Sequence, residues 1–96
     1  MEIKTVEREA IRDFEQQLDI KNVKYLTLCT EEDIVAYLVG VGAENDNEIE
    51  VYFEFQNDFN ATVAKQLYDE FMKQDIKEEI VFSPSSEAEE HFITSL

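Results

Sequence analysis

The segment between residues 48 and 55 places carboxylates at alternate positions, and these are the side chains of this sequence best suited to chemistry or recognition. Alternate residues of a β-strand lie on one face, about 6.6 to 7 Å apart. The carboxylates of Glu48, Glu50 and Glu54 therefore share one face, with the ring of Tyr52 among them. Such a row could act as a general base, bind a basic protein in place of nucleic-acid phosphates, or serve only as a solvated surface.

The row of carboxylates should lower the stability of the fold, and this loss favours a role in recognition. Like charges on one strand face repel, and Glu is a poor strand former. The sequence has no Lys or Arg between Tyr25 and Ala64, so no basic neighbour in this stretch compensates the row. We therefore predict a partner-binding surface that includes the strand and its flanking loops, with the residues Glu44, Asp46, Glu48, Glu50, Tyr52, Glu54 and Asp58.

The remaining residue types that often carry chemistry occur singly. Cys29 is the only cysteine and His91 the only histidine, so no internal disulfide can form and no Cys/His cluster can hold a metal ion. Cys29 lies in a strand pattern and is expected to be buried, while His91 is expected on the surface of a C-terminal helix. The acidic turn 31–33 lacks the spacing of a calcium loop, so we predict no metal site.

The charge balance limits the class of partner. The chain of 96 residues has 23 Asp or Glu and 8 Lys or Arg, which gives a net charge of −15. This charge excludes nucleic acid and anionic membrane as natural direct partners and favours a basic protein surface. A single cysteine and the lack of an apolar leader or spanning stretch predict a cytoplasmic protein. The length predicts one domain over residues 1–96.

The hydrophobic pattern predicts an α+β or α/β domain with a mixed sheet and the order β-α-β-β-β-α-β-α. A strict period of two makes the strand at 48–55 the clearest element, with its apolar face in the core. Asn57, Asp58 or Asn60 could cap the helix that follows, and Pro84 is expected in the first turn of the last helix. The predicted strands are 3–6, 23–29, which is expected to be central, 34–41, 48–55 and 80–82, and the predicted helices are 10–18, 63–72 and one that begins near 83–86.

The order and spacing of these elements resemble the GNAT family of N-acetyltransferases over nearly the whole chain. The stretch 48–71 is similar to the family's fourth strand, pyrophosphate loop and third helix, and the stretch 85–96 is similar to its fourth helix. The resemblance implies a GNAT-like fold and, in a complete member, binding of acetyl-CoA. Members of the family have two further strands after this helix, whereas the sequence ends at Leu96. By this comparison, we expect the strand containing Ile80 and Phe82 to have a free edge.

The sequence departs from the family at the positions that carry its chemistry. The family's phosphate-binding loop is rich in glycine, whereas the matching residues here are Phe59, Asn60, Thr62 and Ala64, of which only Ala64 fits. The family's general acid is a tyrosine at the position of Phe92, which has no proton to give. We therefore expect no catalytic residue, no cofactor-binding residue and no cofactor.

Three functional hypotheses follow from the resemblance and its departures. The leading one is a degenerate GNAT-like module that binds a basic protein, in a sharper form as an inhibitor that mimics nucleic acid. The alternative is a minimal acetyltransferase that uses acetyl-CoA on a cationic amine, with Glu50 or Glu54 as the base and a homodimer formed through the edge at Ile80 and Phe82. A third is a subunit or antitoxin-like protein that needs a partner to fold.

Overall fold

The first four strands of the sheet pair antiparallel with their neighbours, and the second, third and fourth form a meander. The computed structural model describes all residues from Met1 to Leu96. The elements are β1 (Glu2–Thr5), a 3-10 turn (Arg8–Ala10), α1 (Ile11–Leu18), β2 (Val23–Thr30), β3 (Ile34–Val41), β4 (Glu48–Phe55), α2 (Ala61–Phe71), β5 (Glu79–Phe82) and α3 (Glu87–Thr94).

The sheet has five strands in the spatial order β1-β2-β3-β4-β5 and is mixed. The pairs β2–β3 and β3–β4 are antiparallel hairpins joined by short turns, and the pair β1–β2 is antiparallel with α1 in the connection between its strands. The pair β4–β5 is parallel, since α2 returns the chain to the start of β4 before β5 begins. Both β1 and β5 are edge strands.

The two faces of the sheet carry separate hydrophobic clusters. On one face, Ile11, Phe14 and Leu18 of α1 pack against Leu26, Leu28 and Val39 of β2 and β3. On the other face, Leu67 and Phe71 of α2 and Phe92 of α3 pack against the apolar side of β4 and its neighbours. Most of the side of β4 and β5 that lies on the α1 face is therefore left without a helix over it, because α1 packs mainly on β2.

The structure is a single α+β domain with a mixed sheet and three helices, which confirms the predicted fold class at this level. The radius of gyration of 12.6 Å matches the roughly 12.5 Å of a compact domain of this length. None of its helices is long and apolar enough to cross a membrane.

Several local expectations need correction. The strand predicted at 3–6 spans Glu2–Thr5, although the Val6 N–H still donates to the Leu26 carbonyl. β2, which was predicted to be central, is an interior strand between β1 and β3, and β3 is the middle strand of the five. Pro84 lies before α3 and not in its first turn, because Ser86 is the N-cap and accepts a hydrogen bond from the Glu89 N–H. Among the three residues considered for the α2 cap, Asn60 takes the role.

Candidate functional site: an open acidic half of the sheet

The acidic face of β4 is exposed as its period of two predicts. Glu48, Glu50 and Glu54 are exposed, whereas Ile49, Val51 and Phe53 on the opposite face are buried. Tyr52 is half-buried because its ring packs at the margin of the cluster beneath α1. The strand thus anchors its apolar face in the core and presents its carboxylates to solvent.

β5 extends this surface with two residues that the sequence analysis missed. Glu79 lies directly opposite Glu48, and Val81 lies opposite Glu50, so both point to the same side as the β4 carboxylates. Val81 is 44% exposed, which is high for a large apolar side chain in a strand. Together these side chains form the acidic face, which consists of Glu48, Glu50, Tyr52, Glu54, Glu79 and Val81.

No cation neutralises the acidic face. The structure contains four ion pairs, Lys4–Glu2, Lys24–Glu78, Lys65–Asp69 and Lys73–Glu70, and none of them includes a carboxylate of this face. The pair Glu48–Glu79 places like charges directly opposite each other, which is destabilising in a sheet. No basic side chain of the domain therefore forms an ion pair with the acidic face.

Two tyrosines lie beside these carboxylates. Burial, together with Tyr52 and Glu54, raises the pKa of Tyr37 to about 12. Burial, together with Glu50 and Glu54, also raises the pKa of Tyr52 above its usual 10. Both phenols consequently stay protonated at physiological pH, and the acidic face presents aromatic surface and hydroxyl groups beside the carboxylates.

The other predicted partner residues lie in the loops at either end of β4. Asp46 closes the β3–β4 turn, where its carboxylate accepts a hydrogen bond of 3.0 Å from the Ala43 N–H. Glu44 is exposed in the same turn, and its carbonyl accepts a hydrogen bond from Lys24 Nζ at 3.4 Å. Asp58 lies beyond the opposite end of β4. The seven predicted residues thus follow the length of β4 rather than forming one compact patch.

The loop between β4 and α2 serves the core and the helix cap. The Phe59 ring packs against Phe53, Phe55 and Phe92 with centroid distances of 6.3, 5.2 and 5.9 Å. The Asn60 carboxamide oxygen accepts a hydrogen bond of 3.1 Å from the Val63 N–H. Thr62 is exposed, and Ala64 is buried in the core.

A small hollow lies between this loop and the start of α3. It has a volume of about 230 Å³, and its lining includes the carboxylates Glu54, Asp58 and Glu89 but no Lys or Arg. The Glu89 carboxylate is buried, and its Oε2 accepts hydrogen bonds from the N–H and the hydroxyl of Ser85. Ser85 and Glu89 belong to the cap of α3, and the hollow offers no positive charge to a phosphate.

A second charged cluster links β2 to the segment before β5, and no local sequence pattern predicts it. Glu78 accepts hydrogen bonds from the Tyr25 hydroxyl at 2.7 Å and from Lys24 Nζ at 3.0 Å. Both donors reach one carboxylate because a β-bulge between Val23 and Tyr25 turns neighbouring side chains to the same side. These hydrogen bonds hold the pKa of Glu78 at about 2, below its usual 4.5.

Cys29 and His91 lie apart from the acidic face. Cys29 is completely buried, and this burial raises the pKa of its thiol above 9.0. His91 is exposed on α3. No group of three or more His, Cys, Asp or Glu residues has a geometry that could hold a metal ion.

Comparison with known proteins adds no relative to this picture. No protein-family model matches the chain, and neither a curated protein nor a solved structure matches it.

Proposed function

We propose that this domain binds the basic surface of a protein through its acidic face. The observation that carries the proposal is that four strand carboxylates, Glu48, Glu50, Glu54 and Glu79, lie on an uncovered half of the sheet without one ion pair among them. A cationic partner would relieve their mutual repulsion on binding. The exposed Val81 and the Tyr52 ring would add apolar contact area between the charges.

The geometry of β4 suits a partner that otherwise binds phosphates. Glu48 and Glu50 lie about 7 Å apart along one strand, close to the separation of successive phosphates in a nucleic-acid strand, and Glu54 continues the row beyond Tyr52 at about twice that spacing. The net charge of −15 would steer such a partner by long-range attraction. We therefore favour a nucleic-acid-binding protein as the class of partner, with this domain as its inhibitor.

The residues present do not fit acetyl-CoA, and this counts against the acetyltransferase alternative. Asn60 uses its side chain to cap α2, and Phe59 is packed among three other Phe rings. The hollow at this end of β4 exposes carboxylates where a pyrophosphate would need positive charge. Glu50 and Glu54 could accept a proton, but no neighbouring feature would hold the acyl donor.

The relation to the GNAT fold is part of the same proposal. The element order β-α-β-β-β-α-β-α and the parallel pair β4–β5 support it. In this view the domain has kept the scaffold and has replaced the cofactor loop by a packed aromatic cluster.

The proposal is tested by affinity capture from a cell extract with three forms of the protein. These are the wild type, the double variant E50Q/E54Q on the acidic face, and the control E31Q/E32Q in the β2–β3 turn, which makes the same change in net charge. We expect the wild type and the control to retain one basic protein that the face variant does not. The affinity of the purified pair should then fall more than about tenfold between 50 mM and 500 mM salt, because both surfaces are screened. Equal retention by all three forms, or an affinity that salt does not change, contradicts the proposal.

A further inference from the structure

The outer edge of β5 carries main-chain groups that have no partner within the chain. The Glu79 N–H donates to the Asn47 carbonyl at 2.8 Å, and the Ser83 N–H donates to the Val51 carbonyl at 2.9 Å. Alternate residues of a strand direct their N–H and C=O groups to opposite sides. Glu79, Val81 and Ser83 therefore face β4, and the groups of Ile80 and Phe82 point away from the sheet.

No other element satisfies these groups. β5 pairs with β4 alone and is the last strand of the sheet. None of the hydrogen bonds outside the helices and strands involves the N–H or the C=O of Ile80 or Phe82. The edge thus offers two donors and two acceptors at the spacing of a β-ladder.

The edge lacks most of the devices that block strand addition. Natural edge strands are protected by very short length, by Lys or Pro, or by a bulge. β5 is short, with four residues, but its sequence Glu-Ile-Val-Phe contains no Lys or Pro, and it runs in regular register with β4. On the acidic face it carries Glu79 and the exposed Val81, while Ile80 and Phe82 lie half-buried on the helix side. A strand added here would meet acid on one face and apolar side chains on the other.

We propose that β5 accepts an extended segment of the basic partner as a sixth strand. This inference rests on the proposed function and adds the binding mode. The segment would carry Lys or Arg at the alternate positions beside Glu79 and Val81, and apolar residues at the positions beside Ile80 and Phe82. The first cation would lie next to the pair Glu48–Glu79, where two like charges face each other. A Lys beside Val81 would cover this side chain with its aliphatic stem.

Charge favours this occupant over a second copy of the chain. A homodimer through the same edge would join two molecules that each carry −15 and would bring two acidic faces into one continuous sheet. A basic strand makes the same main-chain hydrogen bonds and adds the opposite charge.

The test measures amide hydrogen exchange by NMR during titration with a synthetic peptide, acetyl-Lys-Ile-Lys-Val-Lys-Ile-Lys-amide. We expect the amides of Ile80 and Phe82 to exchange at least about tenfold more slowly with the peptide bound, while those of Glu79 and Val81, which already bond β4, change little. A peptide with Glu in place of each Lys is the charge control and should give no protection. The variant Ile80→Pro removes one outward N–H and should abolish the effect, whereas Ile80→Val keeps this N–H and should retain it.

The possible results separate this inference from the proposed function. Shifts confined to the acidic face of β4, with no protection at Ile80 and Phe82, would overturn strand addition and leave docking on the face intact. Absence of any change on the face or at the edge would count against both. Protection of Ile80 and Phe82 that grows with protein concentration in the absence of peptide would show that a second copy occupies the edge, and would overturn the inference.

Discussion

Replacing Glu48 by Lys should stabilise the free domain, because the pair Glu48–Glu79 is the one place where the structure sets two carboxylates directly opposite each other. Two like charges about 6 Å apart repel by about 0.7 kcal/mol at the dielectric constant of water. The substitution removes this repulsion and adds a cross-strand attraction of similar size. Measured cross-strand pairs fall at or below these values, so we expect a net gain of about 1 kcal/mol.

The assay is thermal unfolding followed by circular dichroism. A gain of about 1 kcal/mol should raise the melting temperature by about 4 to 8 °C in a domain of this size. The control is Glu32→Lys, an exposed residue of the β2–β3 turn, which makes the same change in net charge without a carboxylate opposite in the sheet. Salt provides a second control: at about 1 M the Debye length is only about 3 Å, so the advantage of Glu48→Lys should largely vanish.

Two outcomes would refute this reasoning. Glu48→Lys could gain no more stability than Glu32→Lys at low salt, which would mean that the carboxylates of Glu48 and Glu79 do not destabilise the fold. Alternatively, the gain in stability of Glu48→Lys could persist unchanged at high salt, which would assign this gain to strand preference and not to charge. In either case the acidic face would be an ordinary solvated surface.

Two further predictions concern stability elsewhere. The pKa of Glu78 is held at about 2, so its hydrogen bonds stabilise the fold at pH values above its usual 4.5. Solvent screening reduces this contribution to about 2 kcal/mol or less, and it should be lost as the pH falls from 4.5 towards 2. The variant Glu78→Gln should lose stability at pH 7 and show a weaker acid dependence in urea unfolding, and an unchanged profile would contradict this. Asn60→Ala removes the N-cap of α2 and should lower the free energy of unfolding by about 1 kcal/mol, measured by urea unfolding. Asn60→Ser keeps a capping side chain and should retain most of the stability. Equal losses for the two variants would show that the cap is not responsible.

The sequence allowed the main elements and one face of the site to be predicted. The period of two in β4 predicted which side is buried, because the alternation of Ile49, Val51 and Phe53 with Glu is unambiguous. It also predicted the acidic row, since residues on one strand need no tertiary information to share a face. The resemblance to the GNAT family remains a prediction.

The rest depends on tertiary contacts that local patterns do not contain. Glu79 and Val81 join the acidic face only because β5 pairs with β4 in one register, and a strand of four residues is too short to show its period. The bonds from Lys24 and Tyr25 to Glu78 span 54 and 53 positions and need a β-bulge. The Ser-rich stretch around Pro84 offers several possible N-caps for the last helix, and the local pattern does not show that Ser86 takes this role.

The order of the sheet has a consequence for how the chain folds. The strands β2 to β4 are joined by short connections and can pair early, whereas β5 must wait for α2 to form and cross the sheet. During this interval the long, apolar strand β4 is itself an unprotected edge, and such edges pair with other unfinished chains. The carboxylates of Glu48, Glu50 and Glu54 would make each such edge repel its copies, and would so protect the nascent protein from aggregation until β5 is in place.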